Sequence, residues 1–229
     1  MKDWTVDDVM TTKVVSVDQG ASYRSVVDIL IQHRVSAVPV VDPFLRVAGV
    51  VSEADLLRKI EYAGDEAPRT FESRRRRGER GKALARTAAN LMSAPAVTAL
   101  TGTSLAAAAR RMDAEGVKRL PVVDELGRLA GIVTRSDLLK VHLRPDADIR
   151  ADVEAGVLHE TLAGRADEVT VTVEDGAVTL AGKAELWSTS YEASRLTKQV
   201  PGVVEVTGKV SFAVDDRLSY APGTAFGAA

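Results

Sequence analysis

The chain has no cysteine, so disulfides, thiolate nucleophiles and thiolate-ligated metals are excluded together. Its three histidines, His33, His142 and His159, stand singly, without the spacing of a metal site. Aromatic residues are 4% of the 229 positions, too few for the stacked platforms that hold single-stranded nucleic acid. An excess of one charge is also missing. Thirty basic and 32 acidic side chains leave a formal charge of -2, so no global field draws the chain to nucleic acid or anionic lipid. No apolar run approaches the roughly 18 residues of a membrane span. Met1 to Asp8 carries acids where a secretory signal needs a basic and then an apolar run. The expectation is a soluble protein of the reducing cytoplasm. No nucleophile, base and orienting third group assemble from the motifs, which argues against an enzyme, and no cofactor or metal is expected.

What is present is a repeat. Residues 9–58 align with 91–140 at a constant offset of 82, without a gap. Val35-Ser36-Ala37-Val38-Pro39-Val40-Val41-Asp42 returns as Val117-Lys118-Arg119-Leu120-Pro121-Val122-Val123-Asp124. Gly49 to Leu57 returns as Gly131 to Leu139. Each copy opens with a short extended piece, at 14–17 or 96–99, and then a serine, Ser22 or Ser104, placed as a helix N-cap. Apolar residues at helical spacing follow, then two β-branched runs, then a second helix from Ser52 or Thr134. A β-α-β-β-α unit of about 50 residues is too small to bury its own sheet, so the two copies should pack sheet to sheet as a pseudo-two-fold pair.

Between the copies, Arg69, Arg74–Arg77, Arg80, Lys82 and Arg86 make a basic linker with helical character in part. The linker either stays solvated, contacts acidic lipid or nucleic acid, or folds over the pair to meet a bound phosphate. Beyond residue 145 the pattern changes. Ile149, Val153, Val157, Leu158 and Leu162 mark one helix face that ends near Gly164. The alternating Val169–Val173, the pair Asp175-Gly176 and the run Ala177–Gly182 spell a hairpin with a type I′ turn. Tyr191, Ser194, Leu196 and Val200 then mark a helix ended by Pro201-Gly202, and Val204, Val206, Val210 and Phe212 one side of a last strand. This third unit is α-β-β-α-β, giving an α+β chain in all. The Ala/Gly/Pro-rich residues 216–229 are expected to be disordered.

The repeated Gly-x-x-[Ser/Thr]-x-x-Asp junctions admit two readings. In one, Ser52 with Asp55 and Thr134 with Asp137 form helix capping boxes. In the other, the helix N-terminus and hydroxyls face a phosphate while the aspartate accepts the hydroxyls of a ribose.

With Val9-Met10-Thr11, the Ser-Ala-Val-Pro-Val-Val-Asp strand and both junctions, residues 5–143 resemble a CBS domain pair. The resemblance divides 1–145 into motif one (about 5–62), a basic linker (63–90) and motif two (about 91–143). It implies a regulatory module binding AMP, ADP or ATP, or a related adenosyl ligand, in two clefts, with pairs associating as homodimers. One cleft would draw on Thr134, Ser136 and Asp137 with Ser36, Ala37, Val38 and Pro39. The other would draw on Ser52 and Asp55 with Lys118, Arg119 and Leu120, whose two cations suit polyphosphate.

Residues 149–213, inside a segment 146–215, resemble a BON domain through Glu174–Gly182 and Val200-Pro201-Gly202-Val203-Val204-Glu205-Val206. That resemblance implies a bacterial stress-response setting and contact with phospholipid or protein partners. Thirteen acids against six bases in 146–215 oppose an anionic membrane, so a module for interaction or oligomerisation stands beside the lipid reading. The function expected from the whole is a cytoplasmic adenine-nucleotide sensor with an output domain. The alternative is a scaffold or stress protein whose repeat pair is structural, and nucleic acid is not an expected partner.

Overall fold

The structure, a computed structural model, describes residues 4–63, 73–162, 166 and 168–219, with backbone alone at 74–77 and 161. The described chain forms two compact units, Thr5–Leu138 and, from Leu139 onward, a second that includes Trp4. Both mix helix and strand.

In the first unit, copy one comprises α1 (Val6–Val9), β1 (Val17–Asp18), α2 (Tyr23–His33), β2 (Ala37–Val41), β3 (Val47–Ser52) and α3 (Glu53–Glu61). The linker contributes α4 (Arg74–Leu84). Copy two comprises α5 (Ala88–Leu91), β4 (Ala99–Leu100), α6 (Leu105–Ala114), β5 (Arg119–Val123), β6 (Leu129–Thr134) and α7 (Arg135–Leu138). Each copy has a three-stranded sheet, its first two strands parallel and its last two antiparallel. The predicted caps are in place: Ser22 Oγ accepts the Ser25 N–H at 3.1 Å and Ser104 Oγ that of Ala107 at 3.3 Å.

The aspartate that closes each Val-Val-Asp run shapes the following turn. Asp42 Oδ1 accepts the N–H groups of Phe44 and Arg46, both at 2.8 Å, and Asp124 Oδ1 those of Leu126 and Arg128, both at 2.9 Å. The main-chain N–H of Arg128 holds the Asp124 carboxyl below its usual range, and the Arg128 guanidinium acts in the same direction against partial desolvation. This duplicated aspartate is a turn former.

The short helices α1 and α5 carry no hydrophobic period long enough to read, yet they explain why the motif is duplicated. Ala88 and Leu91, with Ala85, belong to the core of copy one, among Val17, Val26, Leu30, Val38, Val40, Val51 and Leu56. Val6 donates its N–H to Thr103 O in copy two at 2.8 Å, while Ala88 donates to Ala21 O in copy one at 2.8 Å. Each leading segment then pairs with the other copy's third strand, Thr11 with Ile132 and Ser93 with Val50. The copies exchange their N-terminal segments, so neither core is complete alone.

That exchange demands glycine at two positions. A Cβ on Gly49 would lie 2.5 Å from Met92 Sδ, and one on Gly131 would lie 2.3 Å from Met10 Sδ and 3.2 Å from Thr11 O. Gly131→Ala should cost about 1–3 kcal/mol by overpacking. Gly78→Ala in α4, where no atom stands within 4 Å, should stabilise by about 0.5–1 kcal/mol through lost unfolded-state freedom. Urea unfolding of the two variants should move in opposite directions; equal midpoints would refute the packing argument.

The expected second helix of copy two is cut short. It stops at Leu138 and continues as a 3₁₀ segment over Leu139–Leu143, whereas α3 runs nine residues. Pro145 disfavours a helical Arg144. In copy one, α4 supports the longer helix, since Lys59 Nζ donates to Ala83 O at 2.9 Å and Arg58 pairs with Glu79 at 3.2 Å.

The second unit contains α8 (Asp146–Asp152), a π-helical segment over Val153–Thr161, β7 (Val169–Glu174), β8 (Ala177–Leu186), α9 (Trp187–Thr197) and β9 (Glu205–Val214). Ile149, Val153, Val157, Leu158 and Leu162 are all buried, as expected. The final spacing of five residues, Val157 to Leu162, fits the wider i→i+5 winding. Gly164 lies outside the described residues. The hairpin forms in the predicted register, Glu174 opposite Ala177, with positive φ at both Asp175 (48°) and Gly176 (75°), the type I′ signature. Asp146 anchors that turn by accepting both of its N–H groups at 2.9 Å.

Two apolar faces differ from expectation. Leu196 and Val200 pack in the core as expected, but Tyr191 is 42% exposed, and the fully buried stripe of α9 includes Thr189, Ala193 and Thr197. Small side chains let the helix approach the sheet: a Cβ on Gly208 of β9 would stand 2.9 Å from Ser194 Oγ. On β9, Val206 and Val210 pack against the core, while Phe212 and, just before the strand, Val204 are exposed. Asp216–Ser219, the start of the expected tail, lie within the described chain, with a 3₁₀ turn over Arg217–Ser219. Asp216 accepts the Ser188 N–H at 2.9 Å, and Arg217 stacks 5.6 Å from the Trp187 ring. Residues 220–229 lie outside the described chain.

Candidate functional site

The site is built at the junction where β3 turns into α3. Ser52, the N-cap, and Asp55 form the reciprocal capping box: Asp55 Oδ2 accepts the Ser52 N–H at 2.8 Å and its hydroxyl at 2.7 Å. The duplicate behaves alike. Asp137 Oδ2 accepts the Thr134 N–H at 2.9 Å and hydroxyl at 2.6 Å, and Ser136 Oγ lies 2.9 Å from the Thr134 hydroxyl. Both aspartates therefore do the capping work that the plainer reading assigned them.

Capping uses one oxygen of Asp55 and leaves a crevice beside it. A cavity of about 380 Å³ is bordered by Ser52–Asp55, by Ser36 and Ala37 at the entrance to β2, and by Gly116–Arg119 at the entrance to β5. Val50 and the stretch Pro95-Ala96-Val97 supply apolar walls, and Ser93 a hydroxyl. The volume falls in the usual range for small-molecule sites. A helix N-terminus, two cations and apolar residues around one space are the groups that phosphate and base can each use.

The expected set is thus brought together in part. Ser52, Asp55, Lys118 and Arg119 meet at one cavity. Leu120, expected there, does not border it and is buried within β5, while Val38 and Pro39, assigned to the cleft of Thr134, are buried within β2. Ser36 and Ala37, assigned to the cleft of Thr134, border the Asp55 cavity, since Ala37 is the register partner of Ser52. The offset of 82 carries Ser36-Ala37 onto Lys118-Arg119, so both strand entrances face the interval between the two junctions. Arg119 donates to Ser36 Oγ across that interval. Burial lowers the Arg119 pKa, and Glu53, also at the cavity, opposes the shift. The side chains of Arg74–Arg77 lie outside the described residues.

Several lining residues escaped the sequence reading: Val50, Ser93, Pro95, Ala96 and Val97. The repeat held the signal. Ser93 aligns with Thr11, just after the shared methionine, and the exchange of leading segments places Ser93 beside Val50. No group of three or more His, Asp or Glu that could hold a metal occurs among the described residues, and none of their helices is long and apolar enough to cross a membrane.

The CBS domain model matches residues 6–62 and 88–144, and the BON domain model matches 145–213. The chain is a CBS domain pair followed by a BON domain. The chloroplastic CBS domain-containing protein CBSX2 of Arabidopsis thaliana is 28% identical over 155 residues, 62% of this chain and 64% of that protein. The crystal structure of CBSX2 in complex with AMP matches with a TM-score of 0.54 at 29% identity, over 61% of this chain and 97% of that one. A homoserine O-acetyltransferase of Methanococcoides burtonii is 27% identical over 134 residues, 58% of this chain and 23% of the enzyme. The uncharacterized protein MJ1404 of Methanocaldococcus jannaschii is 27% identical over 195 residues, 80% of this chain and 42% of its own length. This chain therefore spans less than two thirds of each of these curated relatives.

Proposed function

We propose that the CBS pair is a non-catalytic regulatory module that binds an adenosine nucleotide in the Asp55 cavity. The observation that carries this reading is the convergence, in one 380 Å³ space, of an aspartate-capped helix N-terminus from copy one with Lys118 and Arg119 from copy two. Asp55 holds the ribose hydroxyls, Lys118, Arg119 and the start of α3 take phosphate, and Val50, Pro95 and Val97 meet the base. The relative crystallised with AMP supports the ligand class. Thr134, Ser136 and Asp137 serve a second cleft by the same device. Calorimetric titration with AMP, ADP, ATP and S-adenosyl ligands tests the reading; absence of heat and of any thermal shift with all of them would reject it.

A ligand that spans both copies favours one arrangement of the pair, which is the requirement for regulation. The BON domain serves as the interaction or output module in the cytoplasm. A second copy of the chain covers the groove between α2 and α3, where Ile31 (71% exposed), Leu57 and Ile60 (72% exposed) stand bare around about 560 Å³ of space. Ile60→Glu should convert a dimer to a monomer in sedimentation; a wild type that sediments as a monomer would refute this face as an interface.

A further inference from the structure

We infer that Lys82 of the linker helix is a tethered competitor for the Asp55 carboxylate, so that the linker sets the affinity of this cavity for ribose-bearing ligands. The inference rests on the nucleotide reading above and adds a regulator to it. Asp55 has two oxygens, and both are in use: Oδ2 takes the N–H and hydroxyl of Ser52, and Oδ1 takes the Lys82 ammonium. The same ammonium donates to Ser93 Oγ at 2.8 Å, so it bridges two walls of the cavity, one from each copy. Its side chain is 22% exposed and that of Asp55 13%, which places the pair at the rim of the space and not on an open surface.

A carboxylate that is to accept a sugar diol needs a free oxygen facing the cavity. Oδ2 is fixed by the cap, because losing it would unpair the first turn of α3. Oδ1 is the acceptor that remains, and the ammonium takes one of its two lone pairs and the space beside it, so it competes with the hydroxyls of a diol for that oxygen. Lys82 is also kept close. The helix that carries it is tied to α3 by Arg58 with Glu79 at 3.2 Å, by the Tyr62 hydroxyl to Glu79 at 3.1 Å, and by Lys59 to Ala83 O at 2.9 Å. A cation held in this way competes at high effective concentration, whatever the concentration of free ions. The linker is not part of the repeat, and the device belongs to the cleft of Asp55.

Adenosine and AMP, titrated calorimetrically into the full chain, separate the outcomes. Lys82→Met should bind both ligands about 2- to 5-fold more tightly, the scale of one partly exposed ion pair. Lys82→Arg, which keeps the cation, should bind as wild type does. Lys82→Gln gives a second neutral variant, and a thermal melt of each verifies folding. An unchanged or weaker affinity in both neutral variants overturns the competitor. Loss of AMP affinity with adenosine unaffected overturns it too, because that pattern belongs to a phosphate ligand; in both cases the nucleotide reading stands. Absence of binding by either ligand to every variant overturns the nucleotide reading and the competitor together.

Discussion

Leu91→Ala lowers the stability of the CBS pair by about 2–5 kcal/mol, the cost of truncating a leucine in a core that cannot collapse around the void. Leu91 is fully buried, and it opens copy two while filling the core of copy one. Its removal should therefore weaken the coupling between copies as well as one core. Urea unfolding measures the loss, with Leu126→Ala, 65% exposed in the turn between β5 and β6, as the comparison expected to cost much less. A loss below about 1 kcal/mol would mean that the exchange of leading helices is dispensable, since buried leucines rarely cost so little.

Asp55→Ala reduces AMP affinity by about 10- to 100-fold, the range expected when a charged acceptor of hydroxyl hydrogen bonds is removed. The same change removes the acceptor for the Ser52 N–H, with about 0.5–2 kcal/mol of stability lost from the cap. Asp55→Asn separates the two effects: it keeps the shape and one acceptor oxygen but surrenders the charge, so it should retain most of the fold while losing affinity. Asp137→Ala should leave the Asp55 cavity occupied. Full AMP affinity in Asp55→Ala, with Asp137→Ala equally silent, would return both aspartates to capping alone.

Much of this molecule was legible because its signals are local or duplicated. The 82-residue offset located both sheets, both N-cap serines and both junctions, and the Asp175-Gly176 turn was determined by residues that tolerate positive φ. In α9 and the turn after it, Leu196 and Val200 pack in the core as their spacing predicts, whereas Tyr191, whose ring looks like a core residue, is 42% exposed. Burial there went to Thr189, Ala193 and Thr197, whose small size permits close approach to the sheet. The repeat alone did not give the different lengths of α3 and α7, because α4, which braces α3, belongs to the linker, and Pro145 follows α7.

The amino-acid order by itself determined that two similar halves must complete one another and which residue types sit at their junctions. It could do so because helix capping, turn chemistry and alternation are set by neighbours in the chain. Only the tertiary structure decided which half's leading segment fills which core, that Lys118 and Arg119 stand beside Asp55 with Ser93 and Val97, and that Lys82 reaches the carboxylate. Those contacts join residues tens of positions apart, and no local preference selects one such pairing over another. Packing selects it, by the fit of Met92 onto Gly49 and Met10 onto Gly131.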